Sequence, residues 1–380
     1  MSAPYRLIVW GPGGMGKSCI REIALRDDCV LVGVRAFSES KNGVDAGTIA
    51  GIDELGVLAS TGVDEVLAVD ADCVLHTSRD LGDYAANEEI LQILRSGKNI
   101  ITIHPYHHID LLEKTHCPPG FVDELKQACA EGGSTFHATG IHPEFICHRL
   151  TGTLSGLCTD VTSVVVEENW DISFIGLDYA KQLGWAHEPE VAKELMSAVK
   201  FPYNYCVQNL HGTARVFGVE LERTSAEYFH IPTERDYDLA TGGTVKAGTV
   251  GRFSHLWKGF VKQDDVNPFI TIAVNWMLGP QMLPDGMSPD ELYVITLEGR
   301  PSLKVGVDIK RSFNTGEYWM VPGDFASPPG YTATAATMFQ AIPRVCAAPA
   351  GPLEVVEPAL RWTPRLEDAE ALAGATGSAR

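Results

Sequence analysis

The chain has 380 residues, 45% hydrophobic and 21% charged, with a formal net charge of −19. That length suits two domains, and the composition is that of a globular protein with a core large enough to need no covalent staple. The negative balance disfavours nucleic acid and anionic membrane surfaces as partners, because phosphate binding wants a basic face. In chain order, an apolar run, Leu7-Ile8-Val9-Trp10, feeds into Gly11-Pro12-Gly13-Gly14-Met15-Gly16, then a helical stretch, then Val30-Leu31-Val32-Gly33-Val34. Strand, glycine turn, helix, strand is the layout that seats a dinucleotide pyrophosphate. Gly11 permits the tight turn, Gly13 lets the backbone approach the phosphates, and Gly16 lets helix and strand pack closely. The helix N-terminus adds free N–H groups and a partial positive charge.

The rhythm continues to about residue 150. A buried strand is predicted at 71–77, a helix at 87–96 ended by Gly97, a strand at 99–103, a helix at 122–131 and a strand at 135–139. Alternating β and α units mean a parallel, doubly wound sheet. After residue 150 the pattern changes. A strand is predicted at 160–168 and a helix at 188–199, then strands at 245–250, 256–261, 269–276 and 292–297, which read as a largely antiparallel sheet. Residues 332–346 are small and apolar, with Met338, Phe339 and Ile342 on one helix face, and residues 366–380 read as a mobile tail. The fold class is therefore α/β. It comprises an N-terminal Rossmann domain (1–150, completed by the late helix at about 332–352) and an α+β substrate and dimerisation domain (151–330).

Nine cysteines, none in a C-x-x-C pair, fit neither a disulfide framework nor a zinc cage. The first residues give way to glycine by position 11 rather than to a signal core, and no apolar run approaches the ~20 residues that span a bilayer. A cytoplasmic location is expected.

Open parallel sheets bind ligands at the C-terminal ends of their strands. Four such ends are polar: 35–41, 76–78, 102–108 and 139–144. Gly11, Gly13, Gly14, Met15 and Gly16 are assigned to the pyrophosphate. The second strand is followed by Arg35 rather than by an acidic residue. Arg35, Ser38 and Lys41 are therefore expected at the adenosine end, which favours NADP over NAD, with Glu39 the feature on NAD's side. His76, Thr77, Thr139, Gly140 and His142 are placed around the nicotinamide. Seven of the twelve histidines lie between 104 and 148. No acidic partner stands at a zinc-like spacing and Pro105 prevents a regular helix, so no metal is assigned. Acid–base work suits imidazole better. His104 is the first candidate proton donor, with Tyr106 and His107 behind it. Glu167, Asn169, Asp171 and Tyr179 leave a strand at the domain junction and are candidates for the substrate pocket.

Several segments together resemble a family. Val9-Trp10-Gly11-Pro12-Gly13-Gly14-Met15-Gly16-Lys17 is similar to the opening of dihydrodipicolinate reductase-like enzymes. Gly43-Val44-Asp45-Ala46-Gly47, His137-Ala138-Thr139-Gly140-Ile141-His142-Pro143-Glu144-Phe145, Ala247-Gly248-Thr249-Val250 and 341–349 resemble the branch that holds 2,4-diaminopentanoate dehydrogenase and the native amine dehydrogenases. His142 stands where that branch has Asn, and Glu144 where it has Gly. The resemblance implies a homodimer and NAD(P)H-dependent reduction of a carbon–nitrogen double bond, or the reverse. It also implies a glutamate just beyond the 99–103 strand that handles ammonia and protons. This chain has Ile103-His104-Pro105-Tyr106-His107-His108 there, and the first glutamate after that strand is Glu113. The departure bears on the amine chemistry and leaves hydride transfer untouched. The His-His-x-x-x-Lys-type motif of dihydrodipicolinate reductase is also missing, so lysine biosynthesis is not assigned.

The expected function is an NAD(P)H-dependent oxidoreductase acting on a small carbonyl, imine or amine bound between the domains. Two other classes fit parts of the pattern. A non-catalytic nucleotide-binding sensor or structural protein of the same fold would bind NADPH without oxidising it. A metal-dependent hydrolase built on the histidines would carry zinc and bind no nucleotide.

Overall fold

The structure, a computed structural model, describes residues 3–79, 84–198, 201–262, 264, 266–284 and 292–354; the expected tail at 366–380 lies outside them. The first sheet contains β1 (Tyr5–Trp10), β2 (Cys29–Arg35), β3 (Ala59–Ser60), β4 (Cys73–His76), β5 (Asn99–Thr102), β6 (Thr135–Ala138) and a late strand, β15 (Gly351–Pro352). Its order is β15-β6-β5-β4-β1-β2-β3 and every pairing is parallel. This is the 3-2-1-4-5-6 order of a Rossmann sheet, and its switch point falls between β1 and β4. Strands buried on both faces need no alternation, and Leu7 to Trp10 are fully buried. Helices α1 (Gly14–Ala24), α2 (Ala46–Ala50) and α3 (Val63–Leu67) follow the first strands, and α4 (Asn87–Arg95) and α5 (Phe121–Gly132) follow later ones. The α1 stripe of Met15, Cys19, Ile20 and Ile23 packs on one face of the sheet; Ile90, Leu94, Leu125 and Ala128 cover the other.

The second sheet holds β7 (Val161–Asp171), β8 (Arg223–Pro232), β11 (Val250–Phe260), β12 (Ile270–Met277), β13 (Tyr293–Gly299) and β14 (Leu303–Val307), in the order β14-β13-β7-β12-β11-β8. All its pairings are antiparallel except β12 with β7. The expected strand at 245–250 is absent. Thr244–Val245 (β10) instead pairs with Tyr237–Asp238 (β9) in a short ribbon. Gly248, at φ +80, turns the chain before β11 runs unbroken through the expected 256–261 strand. Helices α6 (Thr151–Ser155), α7 (Leu177–Gln182), α8 (Pro189–Ala198) and α9 (Phe201–Val216) belong to this half.

Helix α9 has no counterpart in the sequence reading. Its buried positions mix Asn204, Gln208, Asn209 and Thr213 with Cys206, Val207, Leu210 and Ala214, so no purely apolar stripe betrays it. Those amides hold the chain that leaves β5: the His108 N–H donates to Gln208 Oε1 at 2.7 Å, and the His116 N–H to Asn204 Oδ1 at 3.1 Å. The late helix α10 (Pro329–Ala347) returns to the first sheet, where Met338, Phe339, Ile342 and Val345 join its core.

Candidate active site

Past the switch point, a cavity of about 880 Å³ opens between the two sheets, walled by residues of both. The glycine turn forms one end. Gly11 adopts φ +96, and a Cβ there would come within 2.8 Å of the Ser78 backbone. A Cβ on Gly16 would run into the Gly11 carbonyl oxygen, whereas one on Gly13 would meet no protein atom within 4 Å. Gly13 is also the N-cap of α1, with no side chain bonding the helix N–H groups and no acidic residue in the first turn. A backbone cradle left bare at a helix N-terminus fits a pyrophosphate. The Thr77 hydroxyl donates to the Gly11 carbonyl at 2.8 Å and ties β4 to the turn.

Phe37, Ser38 and Lys41 line the adjoining end of the cavity. The Lys41 ammonium donates to the Pro12 carbonyl at 2.6 Å. Partial burial, then the Lys17 charge nearby, lower its pKa, so two cations share this end of the turn. Ser38 accepts from the Ser40 N–H at 3.3 Å. Arg35 lies outside the cavity wall. Its guanidinium sits between the Trp10 ring (5.8 Å) and the Phe37 ring (4.6 Å) and donates to the Ala36 carbonyl.

The ends of β4 and β5 form a hydrogen-bonded chain. His104 Nε2 lies 3.4 Å from the Ser78 hydroxyl, which lies 3.2 Å from His76 Nε2; Glu89 is 3.7 Å beyond. His76 Nδ1 meets Thr102 Oγ1 at 3.1 Å. His104 reaches the cavity with Thr77 and Ser78, while His76 is the buried support behind them. Burial, with His76 alongside, pushes His104 well below the ordinary imidazole value, so it is neutral at pH 7. Tyr106 and His107 do not line the cavity. The Tyr106 N–H donates to the His104 carbonyl at 2.8 Å, closing a turn at Pro105 that sends the ring into the core against Tyr84 and Phe136. Its hydroxyl donates to Asn87 Oδ1 at 2.6 Å. His107 is buried beside Tyr205, where desolvation and the neighbouring His108 keep it neutral.

The turn after β6 contributes Gly140, Ile141, His142 and Pro143 to the wall. Thr139 lies behind it and donates to Glu144, which Arg149 also holds, Nε to Oε1 at 2.9 Å. Glu144 has φ +85, a conformation that favours glycine. His142 Nδ1 meets Glu168 Oε2 at 2.5 Å, with side chains only 4% and 6% exposed. Burial alone would lower the His142 pKa, but Cys147 and Glu168 outweigh it and hold it well above the ordinary value.

The second sheet floors the far end of the cavity in two rows. Tyr293, Glu168, Val274 and His255 stand at one register on four adjacent strands, and Trp170, Trp276 and Phe253 at the next inward-facing one. Strand alternation sends Glu167, Asn169 and Asp171 to the opposite face. Asn169 Oδ1 accepts from Asn275 Nδ2 at 3.0 Å, and Asp171 Oδ1 accepts the Ser173 and Gly279 N–H groups, each at 2.9 Å. These three candidates therefore stand apart from the cavity; Tyr179 lines it, beneath the Arg79 guanidinium at 4.9 Å. The sequence reading named the run that holds Glu168 but singled out its neighbours, and it missed Tyr293, Tyr205 and Asn209. The one available signal was phase: buried Val164 and Val166 put Glu168 inward, but Val165 between them hid it.

Among the described residues, no three of His, Cys, Asp and Glu converge as metal ligands, and no helix is long and apolar enough to cross a membrane. The switch-point cavity, the bare glycine cradle and the second sheet that floors it are the arrangement of one fold class, the two-domain Rossmann-type proteins. Within it, the chain is similar to an amine dehydrogenase of Streptomyces virginiae, 27% identical over 308 residues that cover 79% of this chain and 84% of the relative. The solved amine dehydrogenase of Mycobacterium smegmatis superposes with a TM-score of 0.72 at 21% identity, covering 92% of this chain and 94% of that one. The myo-inositol 2-dehydrogenase of Lactobacillus plantarum gives 0.56 at 11% identity, over 93% and 92%. No family model matches the chain. The resemblance carried by the motifs thus holds across most of the molecule, in sequence and in fold.

Proposed function

We propose that the protein transfers hydride between a nicotinamide nucleotide and a small, mainly apolar carbonyl, imine or amine. The observation that carries this reading is the continuity of one cavity, from the bare N-terminus of α1 to an aromatic compartment holding a buried carboxylate. Gly11 to Gly16 would hold the pyrophosphate, and Ser38 and Lys41 the adenosine end. Lys41 on that stretch of wall, with the Lys17 charge near it and no acidic side chain lining it, favours a 2′-phosphate, hence NADP. The bound nucleotide supplies or accepts the hydride. Thr77, Ser78 and His104 on one side and Gly140 to Pro143 on the other would fix where its reactive ring lies, and Trp170, Trp276 and Phe253 would exclude water from the substrate. Two copies would pair through the open face of the second sheet; light scattering at twice the chain mass tests this.

The test is turnover. Purified protein is given NADPH or NADH with linear and cyclic ketones and aldehydes, with and without ammonium, and loss of absorbance at the reduced-nicotinamide band is followed. Oxidation of NADPH by at least one substrate, faster than of NADH, is expected. Tight binding of NADPH without turnover across the panel would favour the sensor reading; binding of neither nucleotide would end both.

A further inference from the structure

We infer that Glu168 is the group that holds a cationic substrate nitrogen in the aromatic compartment and exchanges a proton with it, with His142 and Tyr293 as its positioning residues. The inference rests on the oxidoreductase reading and narrows its substrate to amines and the iminium ions that correspond to them.

Three observations carry it. First, Glu168 is almost fully buried yet lines the cavity, at the centre of the row of side chains that floors it. A carboxylate in such a place needs partners that prefer it ionised. Second, it has two fixed ones: His142 Nδ1 at 2.5 Å, and Tyr293, at the same register on β13, which hydrogen-bonds to it. The ring of Tyr293 also packs 5.7 Å from that of His142, so three side chains brace one another. An ionised carboxylate has about four acceptor sites, and two remain for a substrate. Third, the next inward-facing row beside it on the same sheet is aromatic, Trp170, Trp276 and Phe253, and all three line the cavity. Aromatic faces beside a carboxylate attract an alkylammonium and do nothing comparable for a neutral carbonyl. The other carboxylate on the cavity wall, Glu89, is placed differently: it accepts from Trp10 Nε1 at 3.1 Å and lies 3.7 Å from His76, at the β4 and β5 strand ends rather than in the aromatic compartment.

In the oxidative direction an N–H bond of the ammonium breaks and its proton passes to the Glu168 carboxylate, which frees the nitrogen lone pair. A bound oxidised nicotinamide nucleotide would supply the acceptor for the α hydrogen and its electron pair, and the freed lone pair would then close the C=N bond. Reduction runs these steps backwards, with Glu168 returning the proton to nitrogen. His104 on the opposite wall, neutral through burial, then serves to orient rather than to supply the proton.

The experiment is a paired titration, read from quenching of the cavity tryptophans, with cyclohexylammonium and its neutral counterpart cyclohexanol in the presence of NADP+. The wild type is expected to bind the ammonium at least tenfold more tightly. Glu168→Gln, which keeps the shape and removes the charge, should abolish that preference and lower amine oxidation at least 100-fold. Glu168→Asp should restore part of both, and Tyr293→Phe should weaken both modestly. Circular dichroism and NADPH affinity, expected to match the wild type, show that each variant is folded. Equal binding of the two ligands by the wild type, or a preference retained by Glu168→Gln, overturns the inference while leaving the oxidoreductase reading intact. Failure of the wild type to bind nucleotide overturns that reading and the proton transfer built on it.

Discussion

Gly13 and Gly16 are three residues apart and face opposite demands. Gly16 is there because the Gly11 carbonyl and Thr77 leave no room for a Cβ, whereas a Cβ on Gly13 would meet no protein atom and, on the proposed function, would stand in the way of the pyrophosphate. Gly16→Ala should therefore cost about 1–3 kcal/mol of stability, seen as a lower thermal midpoint. The buried histidines make a second residue-scale prediction. Burial and a neighbouring His108 push His148 down to about 3, and burial with Arg215 pushes His108 down to about 4, from an ordinary 6.5. The unfolded chain takes up these protons near pH 6.5, while the folded chain refuses them until about 4 and 3. Stability thus falls as pH drops through that window. His142 acts in reverse: its raised pKa gives a contribution complete below 6.5 and lost as pH rises through its folded value. Thermal midpoints measured from pH 8 to 4 should decline below pH 6.5, and more gently in His148→Leu. A flat profile would remove the histidines from the account.

The strand β7 shows what a sequence conceals at the scale of an element. Its existence was legible in the valines at 161–166, but its phase was not, because Val164, Val165 and Val166 are apolar in succession and Glu167-Glu168-Asn169-Trp170-Asp171 offers both parities. One residue of phase separates a carboxylate in the cavity from one on the far face. The same strand yields a test. Asp171 caps two backbone N–H groups away from the cavity, so Asp171→Ala should lower stability by about 1–2 kcal/mol and leave NADPH affinity unchanged. Helix α9 was illegible for a different reason: its buried face mixes amides that grip the chain after β5 with Cys206, Leu210 and Ala214, which join the core of the second sheet. It packs so closely that a Cβ on Gly212 would strike the imidazoles of His108 and His148. Gly212→Ala should cost about 1–3 kcal/mol by thermal melting, because rings packed on both sides have nowhere to go.

For the whole molecule, the parallel, doubly wound character of the first sheet was readable from the alternation of apolar runs, since a parallel sheet needs crossover helices. The composite cavity was not readable. It depends on how the second sheet stands over the strand ends, and no local pattern encodes that. This explains why candidates next to the β1 and β4 turns, such as Gly13, Ser38, Lys41 and Thr77, fall on the cavity wall, while Tyr106 and His107 point into the core. Although the chain's net charge is −19, Lys17 and Lys41 stand close together at the turn, which suits the proposed anion site there. Affinity for NADPH should accordingly fall as salt rises and drop several-fold in Lys41→Ala, more than affinity for NADH.

The glycine cradle is the foundation of all these proposals, and a fluorescence titration of NADPH into wild type and Gly13→Val tests it directly. A Val side chain at position 13 would fill space that no protein atom occupies. Micromolar binding by the wild type, weakened at least tenfold in Gly13→Val at an unchanged thermal midpoint, is the predicted result. Equal affinity in the two proteins, or no binding by the wild type, would contradict it.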